Sequence, residues 1–186
     1  MIDEIFNETE QGMSAALDAM ARALAGIRTG RASTSILDGI RVSYYGTPTA
    51  LNQLATVSVP EARLIVVKPY EGNLIGEIEK AIRADPTLGL NPSNDGEMIR
   101  LPIPELTGER RIEMTKVARN RAEEGRIAVR HARRDGLDLI DEAQKEGEVS
   151  EDESRGAHDR IQALTDGFVK RIDEIIKTKE ADILDV

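Results

Sequence analysis

EMIRLPIPELTGERRIEM, residues 97–114, changes its period halfway along. Ile99, Leu101 and Ile103 alternate with Arg100, Pro102 and Pro104, the two-residue repeat of a half-buried strand. From Thr107, a residue suited to capping a helix, small and apolar residues recur three or four apart through Met114, Ala118, Ala122, Val129 and Ala132 to Leu139. A strand hands over to a long helix within a few residues, and the rest of the chain sorts itself about that junction.

Proline does the sorting. All seven prolines, from Pro48 to Pro104, and the three tyrosines Tyr44, Tyr45 and Tyr70 lie in the middle third. Proline breaks helix interiors, so the proline-free flanks are free to be helical. The first flank sets Ile2, Phe6, Met13, Leu17, Met20, Leu24 and Ile27 along one seam, with a weak step at Thr9. The last opens at SEDE, residues 150–153, where Ser150 and Glu153 have capping-box spacing, and runs on through Ile161, Leu164, Phe168, Ile172, Ile175 and Ile176. Three helices of roughly 40–60 Å, at about 1.5 Å per residue, are expected side by side as an elongated bundle. Gly108, Gly125, Gly156 and Gly167 are expected to be flexible points in it.

The middle third alternates instead. GIRVSYYG (39–46) places Ile40, Val42 and Tyr44 on one face, while ATVSV (55–59) and RLIVV (63–67) are rich in β-branched residues. NLIGEIEKAIRAD (73–85) returns to helical spacing with Leu74, Ile75, Ile78 and Ile82, and a turn-rich segment follows at 85–96. Tyr44 and Tyr45 read as core and edge at the end of a strand in preference to a base-stacking platform. The expected fold class is α+β: a discontinuous three-helix bundle, residues 1–29 and 105–186, interrupted by a small β/α/β domain at 30–104. The chain crosses between them near Gly30 and Pro104.

The formal net charge is -9, so the molecule as a whole should repel polyanions. There is no cysteine, and His131 and His158 are the two histidines, a poor supply for metal or triad chemistry. The motifs GxxxxGKS/T, GxSxG and HExxH are absent, and the carboxylates of EGEVSEDE sit at a helix start, where capping accounts for them. No enzyme, metal or cofactor is expected. MIDEIFNETE lacks the features of a signal peptide and no apolar run reaches membrane-spanning length, so the expectation is a soluble, cytoplasmic protein with no membrane partner.

One region defies the overall charge. Residues 110–134 hold nine basic side chains, eight of them arginine, against Glu113, Glu123 and Glu124; that is +6, which leaves -15 elsewhere. At roughly 100° per residue, Arg119, Arg126, Arg130 and Arg133 fall within about 60° of one another, with Lys116 and Arg134 at the edge. The apolar line through Met114, Ala118, Ala132 and Leu139 centres more than a right angle away, which predicts an outward-facing stripe. A solvated face is the ordinary reading of such a stripe, with Glu123 pairing to Arg119 or Arg126. Arginine in place of lysine favours phosphate, which the guanidinium fork fits, and the lack of interleaved aromatics favours the backbone of structured RNA over unpaired bases. A helical scaffold binding an acidic protein is the alternative.

IRTGRAS (27–33), YYGTPTALNQLATVSVPEAR (44–63), LGLNPSNDG (88–96), IRLPIPELTGERR (99–111) and AVRHARRD (128–135) resemble, in order and across nearly the whole chain, the ribosome recycling factor family. Gly108, His131 and Ala132 depart from its usual motifs. The resemblance implies an L-shaped molecule whose bundle binds ribosomal RNA of the large subunit as a monomer. It implies that elongation factor G, with GTP, then splits the spent ribosome and frees messenger and deacylated transfer RNA. By the same resemblance Arg28, Arg130 and Arg133 are RNA contacts, joined from the stripe by Arg119, Arg126 and Arg134, and Gly30, Arg31, Pro104, Glu105 and Leu106 form a hinge.

Overall fold

The computed structural model describes residues 1–86 and 88–184. Thr87, inside the turn-rich segment expected at 85–96, and residues 185–186, at the end of the expected bundle range, lie outside the described residues. In chain order the elements are α1 (Ile2–Ala25), β1 (Arg41–Tyr44), β2 (Thr47–Ala50), α2 (Leu51–Leu54), β3 (Ala55–Glu61), β4 (Leu64–Pro69), α3 (Ile75–Ala84), β5 (Ser93–Asn94), β6 (Ile99–Pro102), α4 (Gly108–Lys145) and α5 (Glu151–Leu184). Residues 1–29 and 108–184 make one compact unit and residues 30–107 another.

The first unit is α1, α4 and α5 packed together. Met13, Leu17, Met20 and Leu24 of α1 meet Ala118, Ala122 and Val129 of α4 and Phe168, Ile172 and Ile176 of α5 in its main core. Thr9, the weak step of the seam, is buried there; its hydroxyl donates to Ile5 O at 2.8 Å, so the position carries no unsatisfied group. Small residues on α4 let α1 come close. A Cβ at Gly125 would stand 3.0 Å from Met20 Cγ and Sδ, and one at Gly12 would stand 3.4 Å from Ala132 Cβ. Gly125 is therefore a buried packing contact, not the flexible point expected.

Both ends of the α4–α5 connection are chemically closed. Gly147, at φ +76, ends α4 in the left-handed region, with Gly147 N–H donating to Gln144 O at 3.1 Å and Glu148 N–H to Ala143 O at 2.9 Å. Ser150 and Glu153 form the expected capping box: Glu153 Oε2 accepts from Ser150 N at 2.8 Å and Ser150 Oγ accepts from Glu153 N at 3.2 Å.

The second unit holds a four-stranded antiparallel sheet in the order β3-β4-β6-β5 and a separate β1–β2 hairpin. Ile65 and Val67 of β4 and Ile99 and Leu101 of β6 are fully buried in one cluster with Ile78 and Ile82 of α3 and Val42 of β1. The two-residue hairpin loop, Tyr45 at φ 47 and Gly46 at φ 82, has the doubly positive backbone that matches strand twist. Edge strand β3 slips register between Ser58 and Glu61, where Pro60 has no N–H to give to a ladder.

Candidate nucleic-acid interface

The basic stripe lies on α4, and the buried side of that helix decides what each arginine can do. Its buried residues are Thr115, Ala118, Ala122, Gly125, Val129, Gly136, Ile140 and Ala143. Counted from Val129 at roughly 100° per residue, all lie within about 40° of one direction. The sequence pattern pointed elsewhere because it followed a heptad through Met114, Ala132 and Leu139. A straight helix drifts off that repeat, so Leu139 is 39 % exposed while Ile140 is fully buried.

The shift of the core changes the stripe. On the same count Arg133, Arg126 and Arg119 stand about 40°, 60° and 80° from the core direction, at the border with α5, and Arg130, Lys116 and Arg134 at about 100° and beyond. Three arginines seven residues apart thus meet acidic and amide groups of the antiparallel helix. Arg119 pairs with Glu180. Arg126 donates from Nε and Nη2 to Asp173 Oδ1 at 3.0 and 2.6 Å. Arg133 Nη1 donates to Gln162 Oε1 at 3.4 Å, and Gln162 in turn donates to Asp166 Oδ1 at 2.8 Å.

Arg126 is the correction to the outward stripe: it is 22 % exposed, held between α4 and α5. Its hydrogen bond to Asp173 raises the guanidinium above its ordinary value against the opposing pull of burial. Glu123 pairs with Arg126 and Arg130, each at 3.2 Å, while Arg119, expected among its partners, turns to Glu180 instead. Arg130 first, then Arg126, hold the Glu123 carboxyl below the ordinary carboxylate range. Arg130, His131 and Arg134 are exposed. The missed signal was in α5, where Asp166, Asp173 and Glu180 repeat at the interval of Arg119, Arg126 and Arg133 and run the other way.

Arg28 is exposed on the segment after α1 in the same unit, on a different element from the stripe. The residues read as a hinge lie at the two ends of the second unit. Gly30, at φ +76, backs onto Leu106, where a Cβ would stand 3.4 Å from Leu106 Cγ and 3.5 Å from its N. Ala32 N–H donates to Ala62 O at 2.7 Å, Ile103 N–H donates to Arg63 O at 2.8 Å, and Arg63 pairs with Glu105. Arg31 and Pro104 are exposed. Tyr44 is half-buried, its hydroxyl donating to Glu71 Oε1 at 3.0 Å; Tyr45, expected at core or edge, is 77 % exposed, with its ring edge-to-face on Tyr44.

Among the described residues no group of three His, Asp or Glu is placed to hold a metal ion, and no helix is long and apolar enough to cross a membrane. The site is a ridge of arginines and carboxylates along α4 and its border with α5.

Residues 20–184 match the model of the family described as "Ribosome recycling factor". The ribosome-recycling factor of Desulforamulus reducens is 51 % identical over 187 residues, covering all of both chains. That of Anaeromyxobacter dehalogenans is 52 % identical over 184 residues, covering 99 % of this chain and 97 % of the relative. A solution structure of the ribosome recycling factor superposes with a TM-score of 0.80 at 39 % identity, covering 100 % of this chain and 98 % of that one. A second neighbour, with a TM-score of 0.69, 43 % identity and 99 % coverage of each chain, is from models of the T. thermophilus ribosome recycling factor and E. coli elongation factor G bound to the E. coli post-termination complex.

Proposed function

The chain belongs to the ribosome recycling factor family, and we propose that it docks on the ribosome through the arginine ridge of α4. It acts as a recycling factor: on the post-termination ribosome, with elongation factor G and that partner's hydrolysis of GTP, it promotes separation of the subunits and release of messenger and deacylated transfer RNA. It is not an enzyme; the GTPase activity belongs to elongation factor G. The observation that carries this is full-length similarity, at about half identity, to proteins named for recycling.

The docking face is our reading of the ridge. Arg130 and Arg134 are exposed on α4, and Arg133 lies half-buried beside them with a neutral amide as partner, so each can accept a phosphate without first breaking a buried ion pair. Arg28 supplies a further contact, and Arg119 and Arg126 join it by exchanging their α5 carboxylate partners for phosphate. The partner surface is ribosomal RNA of the large subunit, met by one copy of the protein in the cytoplasm. The bundle is residues 1–29 and 108–184 and the inserted domain 30–107, with Gly30, Arg31, Pro104, Glu105 and Leu106, at the ends of the insert, as the hinge through which elongation factor G moves it. The net charge of -9 disfavours indiscriminate RNA binding, so the ridge sets orientation as well as affinity.

If about four to six phosphates are engaged, log K for large subunits falls with log salt at a slope of about -3 to -5. The variant Arg130→Ala/Arg133→Ala is expected to flatten that slope by about one to two units and to slow splitting of post-termination ribosomes by elongation factor G while its melting curve stays in place. Unchanged affinity for large subunits in that variant would remove the ridge from the mechanism.

A further inference from the structure

Glu123 is a carboxylate set into a basic ridge, and it divides itself between two arginines of its own helix. Oε2 accepts from Arg126 Nη1 and Oε1 from Arg130 Nη1, each at 3.2 Å. The two arginines are not equivalent. Arg126 is mostly covered and already bound through Nε and Nη2 to Asp173, so it is a fixed post. Arg130 is 49 % exposed, and its contact with Glu123 is long and made through one nitrogen. A carboxylate tied to a fixed post thus holds the outer arginine at its near edge and leaves the far edge of the guanidinium open. Because both arginines keep the Glu123 carboxyl below its ordinary range, the group stays ionised throughout the neutral range.

We propose that Glu123 is a specificity-determining positioning residue of the RNA-docking face, orienting Arg130 while subtracting one charge from the ridge. The inference rests on the reading of the ridge as an RNA interface. Its charge acts on every RNA, and its positioning of Arg130 on a structured one alone. Loose, unstructured RNA is held by the summed field of the ridge, so a negative charge in the middle weakens it. A structured surface that presents a phosphate to the open edge of Arg130 gains from an arginine already in position, because less side-chain freedom is lost on docking. The charge lowers both affinities and the positioning restores the one for structured RNA alone, so together they raise the preference for structured ribosomal RNA over random strands.

The test is Glu123→Gln, which keeps size and one acceptor and deletes the charge. Affinities for isolated large subunits and for single-stranded poly(U) are measured side by side across salt. Poly(U) affinity is expected to rise about threefold, the effect of one unit charge at roughly 6 Å in water. Its salt slope should steepen by about 0.7. Affinity for subunits gains the same charge effect but loses the positioning of Arg130, so it rises by less than poly(U) affinity or falls, and the subunit-to-poly(U) ratio drops about twofold or more. A ratio that stays the same or increases overturns the proposal. Glu123→Asp, which retains the charge, is expected to bind poly(U) as the parent does; a rise equal to that of the Gln variant overturns it as well. The variant Arg130→Ala/Arg133→Ala separates the layers. If it leaves subunit affinity intact, the ridge reading has failed; if it weakens that affinity while Glu123→Gln leaves the ratio alone, only the role of Glu123 has.

Discussion

Thr9 of α1 and Gly136 of α4 touch so closely that no side chain fits between them: a Cβ at Gly136 would fall well inside contact distance of Thr9 Oγ1 and stand 3.1 Å from Thr9 Cγ2. The Thr9 hydroxyl cannot swing away freely, because it is bonded to Ile5 O at 2.8 Å. Gly136→Ala gains roughly 1 kcal/mol of helix propensity. It loses roughly 1–3 kcal/mol to overpacking. The expected net is a destabilisation of about 1 kcal/mol, read as a lower urea midpoint, with part of it recovered in a Thr9→Ala background. A midpoint that rises in the single variant would show that the helices can move apart at no cost.

Gly156 and Gly167 offer the contrast. Both lie inside α5 with open space where a Cβ would go. Replacing either with alanine is expected to stabilise the bundle by about 0.5–1 kcal/mol, with no compensating contact to disturb. Urea unfolding of the two variants beside Gly136→Ala checks whether packing, and not chain flexibility, decides each glycine.

The ridge contains arginines that hold helices together and arginines that do not. Arg126→Ala removes a largely covered stem and leaves Asp173 unpaired, an expected cost of about 1 kcal/mol in thermal melting. Arg130→Ala and Arg134→Ala, on exposed positions, should stay within about 0.5 kcal/mol of the parent. Equal losses in all three variants would contradict this division.

Asp95 fixes the turn between β5 and β6. Its Oδ1 accepts from the Glu97 and Met98 amides, each at 3.0 Å, and Oδ2 accepts from Arg100 Nη1 at 2.9 Å. These bonds, the Met98 amide first, lower its carboxyl to about 2 from 3.8. A depressed carboxylate stabilises the fold above its unfolded value, so this contribution is complete at neutral pH and fades as pH falls from about 4 towards 2. Carbon-13 NMR of the side-chain carboxyl should give a midpoint near 2; an unshifted midpoint would deny the turn its anchor.

Glu153 carries the same sign at the start of α5, its carboxyl lowered first by the Ser150 amide. The capping contribution should therefore be present at neutral pH and lost in acid as the group protonates. Ser150→Ala is expected to cost about 1 kcal/mol at neutral pH. Glu153→Gln should remove the acid-dependent part of that stability, and a stability profile in acid identical to the parent's would rule out the reciprocal cap.

Much of this was legible in the residues. The change of period at 97–114, the capping box at Ser150 and Glu153, the proline-rich middle and the alternation of Ile99 and Leu101 all report local rules, each set by a few neighbouring residues, and each appears where it was expected. The family, too, was readable, because its motifs run in order through the chain. The rotation of α4 about its axis was not. A heptad and a 3.6-residue helix agree over a few turns and part company over 38 residues, so which of Leu139 or Ile140 is buried depends on where α1 and α5 press against it. That rotation put Arg126 in the seam, left Arg130 outside and made Gly125 a contact. Local sequence periodicity carries the elements; the facing of a long helix belongs to its partners, because only they choose which of several nearly equivalent stripes is covered.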